Sequence, residues 1–350
     1  MKRVIAAVLI LVALVGCLWF AQKLLVPKYI VKNEEGVLAG EYYDNIGSND
    51  VLFIGDCEVY SNFSPITLWQ DYGITSVIRG TPQQLIWMSY YMLKDTLRYE
   101  TPKVVVYNVF SMKYSEPQSE AFNRLALDGM RWSQVKADAI NASMTDDETF
   151  MSYVFPLLRF HSRWNELTSE DFDYLFKKEQ LSHNGYVMRV DTKPVEVIPD
   201  PVPLADYNYA QIDWDYLDKI RDCCKENGIT LILIKSASCY PHWYDEWDKQ
   251  ISDYAAANGL TYINFLEHSD ETGIDYKTDT YDAGMHLNLS GAEKASKWFG
   301  NILIQQPGVT DRRSDPELQK VWTEKIAFYE KMKESQFRQL EETGSVTSFR

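Results

Sequence analysis

Val51-Leu52-Phe53-Ile54-Gly55-Asp56-Cys57-Glu58 reads as an apolar strand that breaks at Gly-Asp-Cys. Four further runs of the same kind follow it: 74–80, 103–109, 229–236 and 260–266. Lys103-Val104-Val105-Val106-Tyr107-Asn108-Val109 is apolar enough to be buried on both faces, as strands inside a parallel sheet are. Helical segments alternate with these runs. Thr81-Pro82-Gln83-Gln84 supplies an N-cap, a proline at the first helical position and a capping-box glutamine for a helix to about residue 100. Helices over about 212–227 and 243–258 are closed by Gly228 and Gly259, and Ser290-Gly291-Ala292-Glu293 is a capping box for the last core helix, ending near residue 304.

Alternation of this sort marks βαβ units. It predicts a flavodoxin-like three-layer α/β/α fold with a mainly parallel five-stranded sheet over 49–305. The rhythm stops for roughly 100 residues, too long for a crossover, so a helical insertion is expected at about 111–211, with helices near 119–142, 146–158 and 169–178. A proline-rich connector, 193–203, closes it. The charged tail, 306–350, is read as a surface helix at about 316–342 with a disordered end and no chemistry.

Residues 1–25 are different. Met1-Lys2-Arg3 precedes an unbroken apolar run from Val4 to Ala21, about 27 Å of helix at about 1.5 Å per residue. Three readings compete: a cleaved signal peptide, a lipoprotein box around Cys17, and a retained anchor followed by a linker at 26–48. Leu18-Trp19-Phe20 continues the apolar stretch past any small-residue cleavage site, which favours the anchor. Lys2 and Arg3 then place the N-terminus in the cytoplasm, with Lys23, Lys28 and Lys32 weakening that argument, and the body is expected outside the cytoplasmic membrane.

Fifty acidic against 35 basic residues give a net charge of −15, which argues against nucleic acid as a partner. Five cysteines, two of them adjacent at Cys223-Cys224, do not make a disulfide framework, although a Cys57–Cys239 bridge stays open. The five histidines show no metal-ligand spacing, and neither a dinucleotide fingerprint nor a phosphate-binding Gly-Lys loop occurs. Cofactor-free, metal-free chemistry is expected.

In doubly wound sheets functional groups gather at the carboxyl ends of the strands, where Cys57, Gly80, Asn108 and Cys239 all fall. Tyr281-Asp282-Ala283-Gly284-Met285-His286-Leu287-Asn288 follows the fifth strand. A thiol nucleophile, an imidazole to take its proton and a carboxylate to orient the imidazole suit acyl transfer by Cys57, His286 and Asp282. The two pieces resemble the first and last blocks of the SGNH (GDSL) hydrolases, which read Gly-Asp-Ser and Asp-x-x-His. Two departures stand out: Cys57 replaces the serine, and Asp282 lies four residues before His286 instead of three. A one-residue bulge at Gly284 would restore the spacing, while Asp279 and Asp275 are the rival carboxylates. The resemblance implies an oxyanion hole made by the backbone N–H groups of Cys57 and Gly80, with Asn108 as its third donor.

Glu58 is read either as tuning the thiol or contacting substrate, or as an exposed first-turn acid. Tyr240 and Trp243, with His242, Tyr244 and Trp247, suit a glycan-stacking wall or a helix start packed on the sheet. Arg159, His161, Arg163, Trp164 and the turn at 182–186 are candidate lid residues by position. The chain is similar to the membrane-tethered DltD-like proteins of teichoic-acid D-alanylation in its single anchor, long insertion and final His-Leu-Asn followed by Gly-Ala. That resemblance implies a cell-membrane esterase or O-acyltransferase acting on a cell-envelope glycan or polymer beside a multispanning acyltransferase partner. The alternative is a catalytically inactive glycan-binding or assembly protein of the envelope.

Overall fold

The computed structural model describes residues 1–26, 38–176 and 180–346. Residues 27–37 of the expected linker, Lys178 at the end of an expected helix, and residues 347–350 of the tail lie outside the described residues.

The five apolar runs form β1 (Val51–Gly55), β2 (Ser76–Gly80), β3 (Val104–Asn108), β4 (Thr230–Lys235) and β5 (Thr261–Asn264), a parallel sheet in the order β2-β1-β3-β4-β5. Successive side chains on a strand point to opposite faces, so each strand feeds two cores. Phe53, Val104, Val106, Ile232 and Ile234 join one core, under the helices Cys57–Asn62, Pro65–Tyr72, Leu289–Leu303 and Pro316–Thr343. Leu52, Ile54, Val105, Tyr107 and Leu233 join the other, under Ile86–Thr96, Gln211–Glu226 and Asp245–Asn258. The fold is therefore three-layered α/β/α with an all-parallel sheet.

Two helix starts differ from the capping boxes read in the sequence. Thr81 Oγ1 donates to Gln84 Oε1 at 3.1 Å and Gln84 Nε2 to the Arg79 carbonyl at 3.0 Å, so the box residues satisfy each other and the helix begins at Ile86. The last core helix is capped by Asn288, whose Oδ1 accepts the Gly291 N–H at 3.2 Å, and Glu293 accepts the Tyr329 hydroxyl instead. Within the insertion, the single helix expected at 119–142 is two, Glu120–Leu127 and Gln134–Ser143, and 146–158 breaks before Pro156. Gly129 lies in the first break because a Cβ there would stand 2.8 Å from Ala39 Cβ.

The tail helix is no surface appendage. Trp322, Tyr329, Met332 and Gln336 are buried, and Trp322 stacks on Trp69 with centroids 5.0 Å apart. Nor is the turn at 182–186 a lid. The Asn184 carbonyl accepts the Ile78 N–H at 2.9 Å and Asn184 Nδ2 donates to the Ser76 carbonyl at 3.0 Å, closing the open edge of β2. Gly185, at φ 91°, sits against the Ile78 carbonyl where no side chain fits.

His183 in this turn is buried against Phe328 and Tyr329, at 4.9 and 5.0 Å between ring centroids, and neither ring nitrogen has a partner among the described residues. Burial pushes its pKa down to about 3. The unfolded chain takes up this proton below about 6.5 and the folded chain does not, so His183 contributes stability above that pH which is lost as the pH falls towards 3. His183→Phe is expected to remove up to about 1.4 kcal/mol of acid destabilisation per pH unit over that window. Urea titrations of both proteins at neutral pH and near pH 5 check this; parallel losses would refute it.

The helix Lys2–Leu25 is long and apolar enough to cross a membrane, with mean hydropathy 2.9 over its 18-residue window and none of that window buried. Its foot is held by the insertion: Arg163 Nη1 donates to the Leu25 carbonyl at 2.9 Å and Nη2 to Asp171 at 2.9 Å, while Arg159 pairs with Glu120 at 2.8 Å. Arg159 and Arg163, expected in a lid, are thus bound to the insertion and to the end of this helix.

Candidate active site

The direction in which the chain leaves the sheet reverses between β1 and β3, and Cys57 follows β1 directly, at the crevice where doubly wound sheets bind ligands. Gly55, at φ 152°, lets the strand end close on its neighbour, since a Cβ there would lie 2.9 Å from Asn108 Cβ. Gly80, in register with Gly55, has the same necessity: its Cβ would lie 2.6 Å from Val59 Cγ2. Asp56 turns the chain into the helix Cys57–Asn62 by accepting the Glu58 N–H at 3.1 Å.

The loop after β5 brings His286 to the same rim. Asp282 Oδ2 meets His286 Nδ1 at 2.6 Å, and its Oδ1 accepts the His286 N–H at 2.7 Å. Both carboxylate oxygens are therefore spent on orienting one residue. The extra residue in the spacing is absorbed where Ala283 and Gly284 take φ of 62° and 97°. The rivals face elsewhere: Asp279 binds Lys294 at 2.6 Å, and Asp275 caps the Lys277 N–H at 2.9 Å. With Nδ1 on Asp282, Nε2 is the nitrogen left for the Cys57 thiol, and the two side chains are close enough to shift each other's titration. Cys57 and Cys239 are both free thiols, so no bridge ties them.

Asn62 locks the nucleophile helix to the histidine loop. Wholly buried, it accepts the Leu287 N–H at 2.8 Å and donates to Ser236 and Ser238, in the loop after β4, at 2.8 and 2.9 Å. Tyr281 stacks on His286 with centroids 5.7 Å apart, and the Arg189 guanidinium covers the ring at 4.7 Å. Neither Asn62 nor Tyr281 was singled out in the sequence. Only their neighbourhood, next to the Gly-Asp-Cys turn and the Asp282–His286 loop, marks them.

Glu58 is no exposed acid and touches no open surface. It is 2% exposed and accepts Lys235 Nζ at 2.9 and 3.1 Å and Asn108 Nδ2 at 3.0 Å. Asn108 is fully used in turn: Nδ2 also donates to Asp56 at 3.1 Å, and Oδ1 accepts the Ser236 N–H at 3.1 Å. Neither amide hydrogen of Asn108 is left for an oxyanion, which removes it as the third donor. Trp243 is buried, with Nε1 donating to Asp248 at 3.0 Å, so it packs the core beside Phe110 and cannot stack on a sugar. Tyr240 keeps an exposed ring while its N–H donates to the Gly284 carbonyl at 3.1 Å, tying it to the histidine loop.

Charge at this rim follows from burial. Burial pushes the Cys57 thiol up; His286 pulls against it, and Asp56 and Glu58 add to the rise. For His286, burial opposes the charged form, but Tyr281, Cys57 and the Asp282 hydrogen bond outweigh it and hold the imidazole well above its ordinary range. Burial together with Glu58 raises Asp56 to about 6, and burial lowers Lys113 to about 8 against the pull of Asp56 and Glu58. A base beside a nucleophile, with the base oriented by a carboxylate, is the arrangement that proton transfer to and from an attacking sulfur requires. Among the described residues, no group of three His, Cys, Asp or Glu is arranged to hold a metal ion. Neither a protein-family model nor a curated protein matches the chain.

Proposed function

We propose that this protein is an SGNH-like esterase or O-acyltransferase, held to the membrane by its N-terminal helix with its body on the extracytoplasmic side, acting on acyl esters of a cell-envelope glycan or polymer. The observation that carries the reading is the row Asp282–His286–Cys57 at the switch point of the sheet. In the first half-reaction Sγ attacks the ester carbonyl, His286 takes the thiol proton, and the C–O bond breaks as His286 returns that proton to the leaving alcohol. A thioester on Cys57 remains. Water or a sugar hydroxyl then attacks it, His286 accepting the new proton and passing it to the departing sulfur. The backbone N–H groups of Cys57 and Gly80 are the donors assigned to the developing oxyanion. Tyr240 supplies the most exposed ring of the aromatic wall, and a multispanning acyltransferase is the partner that the DltD-like resemblance suggests.

The test is direct. Full-length protein mixed with 4-nitrophenyl acetate and quenched in acid is expected to carry one acetyl group, mapped by peptide mass to Cys57 and missing from Cys57→Ala. A thiol that stays unacylated through turnover, or an adduct that persists in the alanine variant, would remove Cys57 from the chemistry. An unacylated thiol with no ester hydrolysis above the uncatalysed rate would favour the non-catalytic glycan-binding or assembly reading.

A further inference from the structure

The insertion carries apolar side chains that the core does not use. Phe155, Leu158, Trp164, Phe172 and Phe176 are 47%, 60%, 71%, 43% and 78% exposed. They are not scattered. The segments that bear four of them, Leu157–Phe160, His161–Asn165 and Ser169–Phe176, are those packed against the helix Lys2–Leu25, and Phe155 immediately precedes the first. The packing is at one end of that helix: its apolar length stands free of the body, while Leu24 and Leu25 are buried and the Leu25 carbonyl is held by Arg163.

This arrangement fixes a height. A helix whose free length lies in hydrocarbon leaves the bilayer where the body begins to cover it, so groups clasped to that foot stand at the level of the lipid headgroups. Tryptophan and phenylalanine are favoured there, because an aromatic body enters the acyl boundary, and arginine suits the phosphates. Arg159, half exposed, lies over the Phe160 ring at 5.6 Å, and Arg163 holds the foot itself. We propose that this collar of the insertion is a lipid-facing surface that lies in the membrane interface and orients the body, and with it the Cys57 rim, relative to the bilayer. The inference rests on the reading of Lys2–Leu25 as a membrane helix, and is independent of the acyl chemistry.

The full chain, reconstituted in phosphatidylcholine vesicles, can be probed with the photo-crosslinker p-benzoylphenylalanine, placed singly at Leu11, Trp164, Phe176 and Val321. Leu11 lies mid-helix and Val321 on an exposed face of the tail helix. After irradiation, lipid adducts at 164 and 176 are expected to exceed those at 321 by on the order of tenfold, with 11 as the positive reference. Lipid adducts at 11 alone would overturn the collar while leaving the anchor standing. Crosslinks from 164 or 176 to a second protein chain in place of lipid would overturn it in favour of a protein interface. No lipid adduct at 11 would overturn both the anchor and the collar, and leave the acylation test on Cys57 untouched.

Discussion

Replacing Cys57 with alanine is expected to lower kcat/KM for an activated acyl ester by at least about 10³-fold, because the covalent route is lost and only binding and backbone donors remain. The unfolding free energy should stay within about 0.5 kcal/mol of the parent, since the side chain is partly exposed and takes no part in the buried ion pair below it. Asp282→Asn tests the same row through its other end. It keeps the shape of the carboxylate but loses the anion at 2.6 Å that orients and charges the imidazole, so a loss on the order of 10²–10⁴-fold is expected. The sign of the pH effect follows from the geometry. Burial pushes His286 down and Tyr281, Cys57 and Asp282 lift it, so the parent keeps its base protonated to higher pH and its rate should climb into the alkaline range. Removing the anion lowers the imidazole pKa and moves the acid limb of the profile to lower pH. A profile that keeps its position in Asp282→Asn would show that the carboxylate does not act through the histidine.

Removing Lys235 is expected to cost about 3–5 kcal/mol of stability, as breaking a buried ion pair does. Its ammonium group is wholly buried and bound to Glu58 and to the Ser236 and Ser238 carbonyls at 2.8 and 3.1 Å. Lys235→Met leaves Glu58 without the cation bound to it, in a site that also holds Asp56. The double change Lys235→Met with Glu58→Met removes both charges and should recover most of the loss, since desolvating an ion pair offsets much of its attraction. Denaturant unfolding of the three proteins measures this. Single and double variants equally unstable would mean that packing, not the pair, is what matters there.

The ion pair explains why Glu58 reads wrongly in one dimension. It stands beside the nucleophile at the start of a helix, where acids are commonly solvated, and its partner is 177 positions away at the end of β4. Asn108 shows the same limit. A strand-end asparagine matches a donor role by position, but whether its amide hydrogens are free depends on Asp56, Glu58 and Ser236 converging on it. Trp243 reads equally well as a sugar platform or a core residue until Asp248 and Phe110 are seen around it. The tail helix looked like a charged surface helix because its apolar positions are sparse; Trp322 finds Trp69, which no local pattern announces.

What could be read along the chain is whatever short-range periodicity encodes: five apolar runs spaced by helical segments, an anchor-length apolar stretch, an interruption too long for a crossover, and the residue types at the strand ends. Those follow from backbone geometry and burial, which act within a few residues and leave a repeating mark. The meeting of Cys57 with His286, the locking of their segments by Asn62 and the neutralising of Glu58 by Lys235 leave no such mark. They are contacts between segments brought together only when the parallel sheet closes, and a hydrogen bond or an ion pair depends on distance in space, to which spacing along the polymer is no guide.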